Sequence, residues 1–184
     1  MLKSTLGSSQ NDGKFNEGEE MKKKVEILCV LDRSGSMSSI MEEAVSAFNG
    51  FVEQQKTLPA KANLTLVAFD HEYTVVYDKV KLAEVQPLKV SDVPPRGMTA
   101  LNDAIGRAMA NVTSKNVVML IQTDGHENAS KEYTSEAVKK LIEEKKAIGW
   151  DISFIGAGID AFASGSAYGI LRDKCLSVGK NEKG

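Results

Sequence analysis

The amino-acid sequence predicts a doubly wound α/β fold, in which a mostly parallel sheet carries helices on both faces and has one antiparallel edge strand. Near-continuous apolar runs at 25–31 and 117–121 are typical of strands covered on both faces. Segments of helical period alternate with strand-like segments along the chain, which predicts right-handed βαβ crossovers. The brief polar link at 70–72, between two strand-like segments, favours an antiparallel hairpin.

The first half of the chain supplies one buried strand, one long helix and the hairpin. After the strand at 25–31, apolar residues recur at helical spacing from Met37 onward, which predicts an amphipathic helix. This helix should end before Pro59, because the residue before a proline disfavours helical geometry. The hairpin strands are expected at 63–69 and 73–77.

The second half opens with a loop rich in proline and glycine that runs to Thr99. Beyond it, apolar spacing predicts a helix over 101–112, and the second continuous strand leads into Thr123-Asp124-Gly125. Thr134 is the predicted N-cap of the third helix. The remaining predicted elements are a strand at 151–156, a short helix within 160–169 and a last strand at 174–178.

Composition and charge exclude several classes of function. The 184 residues carry a formal net charge of -2 without a basic stripe, so nothing favours nucleic-acid binding. The apolar runs are too short to span a bilayer, and no basic-then-apolar signal peptide opens the chain. Cys29 and Cys175 lie in apolar strand-like runs and are interpreted as two buried thiols without a disulfide, which favours a cytoplasmic location.

We predict a single domain at 25–178, between a polar tail at 1–24 and a short tail at 179–184. The N-terminal tail lacks apolar periodicity and is expected to be disordered or loosely held. A bacterial gene encoding Glu17-Gly18-Glu19-Glu20 would be purine-rich just before the codon of Met21, like a ribosome-binding site. Translation from Met21 is therefore one hypothesis, and an ordinary acidic tail is the other.

Three polar clusters follow predicted strands or precede a predicted helix. The first is Asp32-Arg33-Ser34-Gly35-Ser36 after the first strand, the second is Thr99 before the second helix, and the third is Asp124 after the second continuous strand. If those two strands are neighbours, the clusters meet at the carboxyl ends of the sheet, where ligands collect in such folds. The candidate metal ligands are Asp32, Ser34, Ser36, Thr99 and Asp124.

All five candidates are hard oxygen donors, which suits Mg²⁺ or Mn²⁺. Zinc is disfavoured, because its usual protein ligands are Cys and His. Hydroxyl ligands do not neutralise the charge of an ion, so an open coordination position would attract a carboxylate from outside. Gly35 would allow a tight turn that points both serines at one spot.

The pattern Asp32-x-Ser34-x-Ser36, followed by Thr99 and then Asp124, resembles the metal-ion-dependent adhesion site of the von Willebrand factor A domain. In size the chain is similar to the small bacterial and phage members of that family. The resemblance covers roughly 24–178 and implies a binding module that is not an enzyme. It implies that the hydroxyls contact the metal directly, that the aspartates act directly or through water, and that an Asp or Glu of a partner protein completes the coordination. The family commonly continues into a C-terminal helix after the last strand. Either that helix is dispensable here, or the chain is truncated, which would leave an apolar sheet face partly uncovered.

Simpler interpretations exist for each residue taken alone. The two serines suit the N-terminus of a helix at Met37, Thr99 suits an N-cap, and Asp124-Gly125 suits a plain turn. Arg33 is expected to point to solvent, and Trp150 to be half-buried. His71 is interpreted as a turn residue, and His126 and Glu127 either rim the site or belong to a solvated loop.

A loose dinucleotide-binding pattern, G-x-G-x-x-A, occurs at 156–161. It comes too late in the chain, because only one short strand follows and no complete βαβ unit with an acidic ribose-binding residue remains. We interpret this segment as a strand-to-helix turn.

Three functions compete on the sequence alone. The first is a metal-dependent protein-binding module. The second is a Mg²⁺-dependent phosphohydrolase or phosphotransferase, which is weakened because Ser34 stands where a second carboxylate would be expected and because only Arg33 and Arg96 are available for phosphate. The third is an assembly subunit in which the metal only stiffens the loops.

Overall fold

The computed structural model describes residues 24–157 and 159–178, and of Val178 it describes the backbone alone. The predictions for the tails, including the start at Met21, lie outside the described residues. Among the described helices none combines the length and apolar character needed to cross a bilayer.

One sheet of six strands, in the order β3-β2-β1-β4-β5-β6, organises the described residues. The strands are β1 (Val25–Asp32), β2 (Ala62–Phe69), β3 (Tyr73–Lys81), β4 (Val117–Thr123), β5 (Asp151–Ala157) and β6 (Cys175–Val178). Only the edge strand β3 runs antiparallel among them, paired with β2. The predicted fold class and hairpin are confirmed, and β1 and β4 are neighbours, which is the condition on which the predicted site depends.

Two predicted element boundaries are wrong by four residues each. The segment after Asp32 first forms a turn of 3₁₀ helix, Gly35–Ser39, and the α-helix begins four residues later than Met37. The Ser38 hydroxyl donates to the carbonyl of Gly35, and short i→i+3 bonds fit the tight exit from the strand. Strand β3 extends to Lys81 and not 77, since irregular register with β2 lets pairing continue where the apolar alternation fails.

Helices cover both faces of the sheet, as predicted. They are α1 (Met41–Lys56), α2 (Leu101–Ala110), α3 (Ser135–Ala147) and α4 (Ala161–Ala167). The helices α2, α3 and α4 contribute to the core on one face, whereas α1 and the segment 82–93 contribute to the core on the other. Thr134 caps α3 as predicted, because its hydroxyl accepts from the amide of Ala137 at 3.2 Å.

Coverage of the second face is incomplete beyond the middle of the sheet. Side chains alternate along β6, so Leu176 faces away from Cys175 and from the core that Cys175 joins. Leu176 is 57% exposed, and Ile155 on the neighbouring strand is only half-buried. Within the described residues, this face therefore has a partly uncovered apolar area.

Buried side chains confirm one prediction and correct another. Cys29 and Cys175 are free, buried thiols, and burial raises the pKa of Cys29 to about 12. Trp150 is only 4% exposed, so the prediction of half burial is wrong. Its indole nitrogen donates to the carbonyl of Ser114, and the Lys145 ammonium covers the ring. A buried indole whose polar atom has a partner adds to the core without a desolvation penalty.

The order of the strands positions the functional end of the molecule. From β1 the chain crosses to α1 on one face, and from β4 it crosses to α3 on the opposite face. The carboxyl ends of β1 and β4 therefore border the point where the winding reverses, which is the usual position of a ligand crevice in open α/β sheets.

Candidate metal centre

Asp32 closes β1 and is fully buried. Its Oδ1 accepts from the amide of Ser34 at 2.7 Å, and its Oδ2 accepts from the Thr123 hydroxyl at 2.5 Å. Burial raises the pKa of Asp32 above its usual value, and these hydrogen bonds offset that effect only in part. Asp32 thus turns the chain and presents a poorly solvated carboxylate at the strand end.

The two serines of the loop after β1 point at each other and at the end of β4. The Oγ atoms of Ser34 and Ser36 are 3.2 Å apart, and Ser36 Oγ donates to Asp124 Oδ1 at 2.7 Å. Ser34 occupies the N-cap position of the 3₁₀ turn, but its side chain makes no capping bond. The capping interpretation of Ser34 is therefore wrong, and the interpretation of Asp124 as a plain turn residue is incomplete.

Thr99 is held through its backbone by the loop that follows β4. Its amide donates to Asn128 Oδ1 at 2.9 Å, and its carbonyl accepts from the amides of Asn128 and Ala129 at 3.0 and 3.2 Å. The N-cap of α2 is Ala100, so the interpretation of Thr99 as the cap is also wrong. The backbone bonds leave the Thr99 hydroxyl available at the site.

The position next to Asp124 shows that three chain segments converge. A Cβ added to Gly125 would lie 3.2 Å from Thr99 Oγ1, 3.4 Å from Ser36 Oγ and 3.7 Å from Asp32 Oδ2. One point beside Gly125, in the segment after β4, is therefore surrounded by oxygens from the end of β1, from the loop that follows β1 and from the loop before α2. Three of the five predicted side chains, those of Asp32, Ser36 and Thr99, surround this point, and those of Ser34 and Asp124 contact Ser36.

Two carboxylates fasten the loop after β4 to the start of α2. Glu127 accepts from the amides of Asn102, Ala129 and Ser130 and from the Ser130 hydroxyl, at 2.7–2.9 Å. Glu127 is therefore structural, which corrects its interpretation as part of a solvated loop, whereas His126 is exposed. Asp103 accepts from three successive backbone amides, those of 131–133, each at 2.9 Å. Burial opposes ionisation of Asp103, but these donors outweigh it and lower the pKa below its usual value.

Arg33 lies between the predicted ligands but does not point to solvent, so that prediction is wrong. Its side chain is buried, with Nε 3.0 Å from Asp70 Oδ2 and a hydrogen bond of 2.9 Å from its guanidinium to the Thr74 hydroxyl. The contact between Nε and Asp70 is an ion pair without hydrogen-bond alignment. A buried carboxylate on the neighbouring strand end attracts the guanidinium inward, and the local sequence around Arg33 gives no sign of this.

The donor set fits a hard divalent cation. Three neutral hydroxyls and two carboxylates match the ligands that Mg²⁺ and Mn²⁺ take in proteins. Among the described residues, no group of three or more His, Cys, Asp or Glu side chains could hold a metal, so a site built from acidic and imidazole ligands is not present there.

Sequence reasoning missed four residues that shape this site: Thr123, Asn128, Asp70 and Asp103. Thr123 could have been found, since it closes the strand beside β1 and so faces Asp32. Asn128, Asp70 and Asp103 act across 26 to 37 positions of sequence and carry no local signal.

Comparison with known proteins identifies the family. The family model of the von Willebrand factor type A domain matches residues 26–165. The chain therefore belongs to the von Willebrand factor type A domain family. No curated protein matches the chain.

Solved structures show the same fold at low sequence identity. The von Willebrand factor domain of the type V pili tip protein Mfa5 from Porphyromonas gingivalis is 14% identical, with a TM-score of 0.62 over 87% of this chain and 91% of that one. Proximal thread matrix protein 1 from the mussel byssus, with a zinc-occupied metal-ion-dependent adhesion site, is 19% identical at a TM-score of 0.62, over 85% of this chain but 41% of that chain. The conserved hypothetical protein BatB from Bacteroides thetaiotaomicron is 22% identical at a TM-score of 0.51, over 73% of this chain and 67% of that one.

Proposed function

We propose that residues 25–178 form a protein-binding module that works through a divalent cation, with Mg²⁺ or Mn²⁺ held by the five predicted ligands. The hydroxyls of Ser34, Ser36 and Thr99 would bind the ion directly, and Asp32 and Asp124 would bind it directly or through water. The convergence of oxygens around the Cβ position of Gly125 is the observation that carries this proposal.

The hydrogen bonds of the site support the same assignment. The Ser36 hydroxyl donates a hydrogen bond to Asp124, and the Thr123 hydroxyl donates a hydrogen bond to Asp32. A hydroxyl that donates its hydrogen bond to a carboxylate keeps its oxygen lone pairs free to bind a cation. Ser36 is thereby oriented as a ligand, while Asp124 provides the negative charge that a cation needs nearby.

The partner would contribute a carboxylate. Neutral hydroxyl ligands do not compensate the charge of the ion, so the coordination position that faces solvent favours an anionic ligand. Ser36 is exposed on this solvent-facing side. The exposed side chain of Met98, next to Thr99, offers apolar contact beside the ion. We therefore propose that the module captures an Asp or Glu of a partner protein, without nucleic acid or membrane. Free, buried thiols are compatible with work in the cytoplasm.

The phosphohydrolase hypothesis receives less support from the same contacts. Of the two basic residues proposed to hold phosphate, Arg33 is buried against Asp70, and Arg96 pairs with Asp70 and Glu72. Both guanidiniums are engaged by carboxylates, so we propose binding without catalysis. A screen of generic phosphate monoesters with Mg²⁺ is the direct check, and turnover that Asp32→Asn abolishes would overturn this choice.

Calorimetry with metal alone tests the ligand set. We expect Mg²⁺ and Mn²⁺ to bind the wild-type chain, and Asp32→Asn or Ser36→Ala to remove detectable binding. Asp151→Asn is the matched control, because Asp151 begins β5 at the opposite end of the sheet and pairs with Lys174. Equal affinity in wild type and Asp32→Asn would overturn the proposal.

Zinc belongs in the same titration, since the mussel protein has zinc at its adhesion site. Because all five donors are hard oxygens, we expect Mg²⁺ or Mn²⁺ to fill the site at physiological concentrations. Zinc bound more tightly at the same residues would leave the site in place and replace the proposed ion.

Capture on beads tests the binding role. We expect some proteins from a cell extract to be retained by wild type in Mg²⁺ and released by EDTA, and not to be retained by Asp32→Asn. A retained protein supports the proposal only if its purified form binds in Mg²⁺ and loses that binding when one Asp or Glu is replaced by Asn or Gln. If a purified partner binds equally with EDTA, the metal serves only to stiffen the loops.

A further inference from the structure

One carboxylate outside the predicted ligand set lies between two of the ligand-bearing loops. Asp70 follows β2, is fully buried and faces two guanidiniums. Its Oδ1 accepts from the amide of Glu72 at 2.6 Å and lies 3.3 Å from His71 Nδ1. Its Oδ2 takes both arginine contacts, which makes it the meeting point of separate chain segments.

The first of these segments is the loop that carries Ser34 and Ser36. Arg33 Nε lies 3.0 Å from Asp70 Oδ2, and Thr74 fixes the far end of the guanidinium. The backbone of Arg33 is also anchored, because its amide donates to the carbonyl of Phe69 at 2.7 Å. The loop after β1 is therefore tied to the end of β2 by side chain and backbone together.

The second segment is the loop that carries Thr99. Arg96 Nε donates to Asp70 Oδ2 at 2.8 Å, and the same guanidinium reaches Glu72. On the other side of Thr99, the amide of Ala100 donates to the carbonyl of Asp70 at 2.9 Å. Asp70 thus holds this loop both before and after its candidate ligand.

The two loops also bond directly to each other. The amide of Arg96 donates to the carbonyl of Arg33 at 2.8 Å, and the amide of Gly35 donates to the carbonyl of Gly97 at 3.1 Å. These backbone bonds hold the two loops side by side, and a guanidinium from each loop contacts the same carboxylate. A buried guanidinium that loses its carboxylate becomes an uncompensated buried charge, so the arrangement depends strongly on Asp70.

We propose that Asp70 is a positioning residue that sets the spacing between the hydroxyls of Ser34 and Ser36 on one loop and the hydroxyl of Thr99 on the other. The effect on metal binding rests on the proposed function, whereas the effect on the spacing of the loops rests on the observed contacts alone. Asp70 does not touch the ion. Residues that orient metal ligands commonly change metal affinity about 10- to 100-fold when they are replaced.

The test compares Asp70→Asn with Ile142→Val, a core variant on α3 that is expected to lower stability without touching either loop. Hydrogen exchange in EDTA follows the amides of Gly35, Arg96 and Ala100, with Ile121 in β4 as the reference. We expect Asp70→Asn to speed exchange at the three loop amides at least tenfold relative to Ile121, and Ile142→Val to leave that ratio unchanged. Calorimetry should show Mg²⁺ affinity lowered about 10- to 100-fold in Asp70→Asn and unchanged in Ile142→Val.

Arg96→Gln is the second variant, because the partly exposed Arg96 can be replaced without leaving a charge in the core. It should speed exchange at Ala100 and weaken Mg²⁺ binding in the same direction. Unchanged exchange at the loop amides in a folded Asp70→Asn, or in Arg96→Gln if Asp70→Asn does not fold, would overturn the inference. If Asp70→Asn alters exchange at the loop amides but the wild-type chain binds no Mg²⁺, the positioning role is supported and the proposed function is overturned.

Discussion

Asp32 and Asp103 lie at the same end of the sheet, yet their surroundings shift the two pKa values in opposite directions. Burial raises the pKa of Asp32, and the hydrogen bonds from Thr123 and Ser34 compensate its carboxylate only in part. Asp103 accepts from three backbone amides, which outweigh the effect of burial and lower its pKa.

The difference separates residues that serve the proposed ion from residues that serve the fold. An incompletely compensated carboxylate destabilises the metal-free chain and is ready to interact with a cation. A carboxylate that holds three amides of one loop stabilises the chain and has little capacity left for a metal. The four predictions that follow test this contrast, from the largest expected effect to the smallest.

Asp103→Ala should lower the free energy of unfolding at neutral pH by about 3 kcal/mol, because it removes charge-assisted hydrogen bonds to three amides. Urea unfolding measures the change. Asp160→Ala is the matched control, since Asp160 only caps the short helix α4 with an exposed pair of bonds and should cost about 1 kcal/mol. Equal losses in the two variants would contradict a special supporting role for Asp103.

Asn128→Ala should weaken Mg²⁺ binding about tenfold, because the amide of Thr99 loses its acceptor and the Thr99 hydroxyl loses its fixed direction. Calorimetry measures the affinity. Asn128→Asp keeps an acceptor at the same position and should remain within about threefold of wild type. If Asp and Ala at this position behaved alike, Thr99 would not depend on Asn128.

The pH dependence of stability in EDTA should differ in sign between the two aspartates. The folded pKa of Asp103 lies below its ordinary value of 3.8, so its contribution is present above that value and is lost as the pH falls through the folded pKa. The folded pKa of Asp32 lies above 3.8, so the contribution of Asp32 is present below that value and is lost as the pH rises through the folded pKa.

Urea unfolding of three chains between acid and neutral pH measures both signs. Relative to wild type, Asp103→Asn should lose less stability when the pH falls below 3.8, and Asp32→Asn should lose less when the pH rises above 3.8. If the free energy of unfolding changed with pH in the same way in both variants, the predicted contrast between the two carboxylates would be contradicted.

Asp32→Asn should change the stability of the metal-free chain by less than about 1 kcal/mol at neutral pH, in either direction. The amide removes a buried charge, which is stabilising, but it has one acceptor oxygen in place of two, so it weakens one of the bonds from Ser34 and Thr123 and the two effects oppose each other. Thermal unfolding in EDTA measures this, and a loss above about 2 kcal/mol would show that Asp32 supports the fold as Asp103 does.

The sequence predicts the sheet, and it predicts which polar side chains meet at one end of the sheet, because both patterns are encoded locally. Continuous apolar runs identify β1 and β4, and a polar cluster after each run lies at the sheet end once those strands are neighbours. The start of α1 is less predictable, because Met37 is in phase with the apolar stripe whether the turn is 3₁₀ or α.

The supports of the site escape sequence analysis for a physical reason. Arg33 and Asp70 form an ion pair across 37 positions, and neither residue has a local pattern that predicts burial. Asn128 resembles any polar loop residue until the backbone of Thr99 is placed beside it. Such contacts arise from tertiary structure, and periodicity and turn chemistry do not report them.

A crystal grown with Mn²⁺ and measured for anomalous scattering tests the central claim most directly. We predict one strong anomalous peak among the oxygens of Asp32, Ser34, Ser36, Thr99 and Asp124, next to Gly125, and its loss in Asp32→Asn. A fully occupied Mn²⁺ site elsewhere on the chain, with no peak between the ends of β1 and β4, would contradict the account.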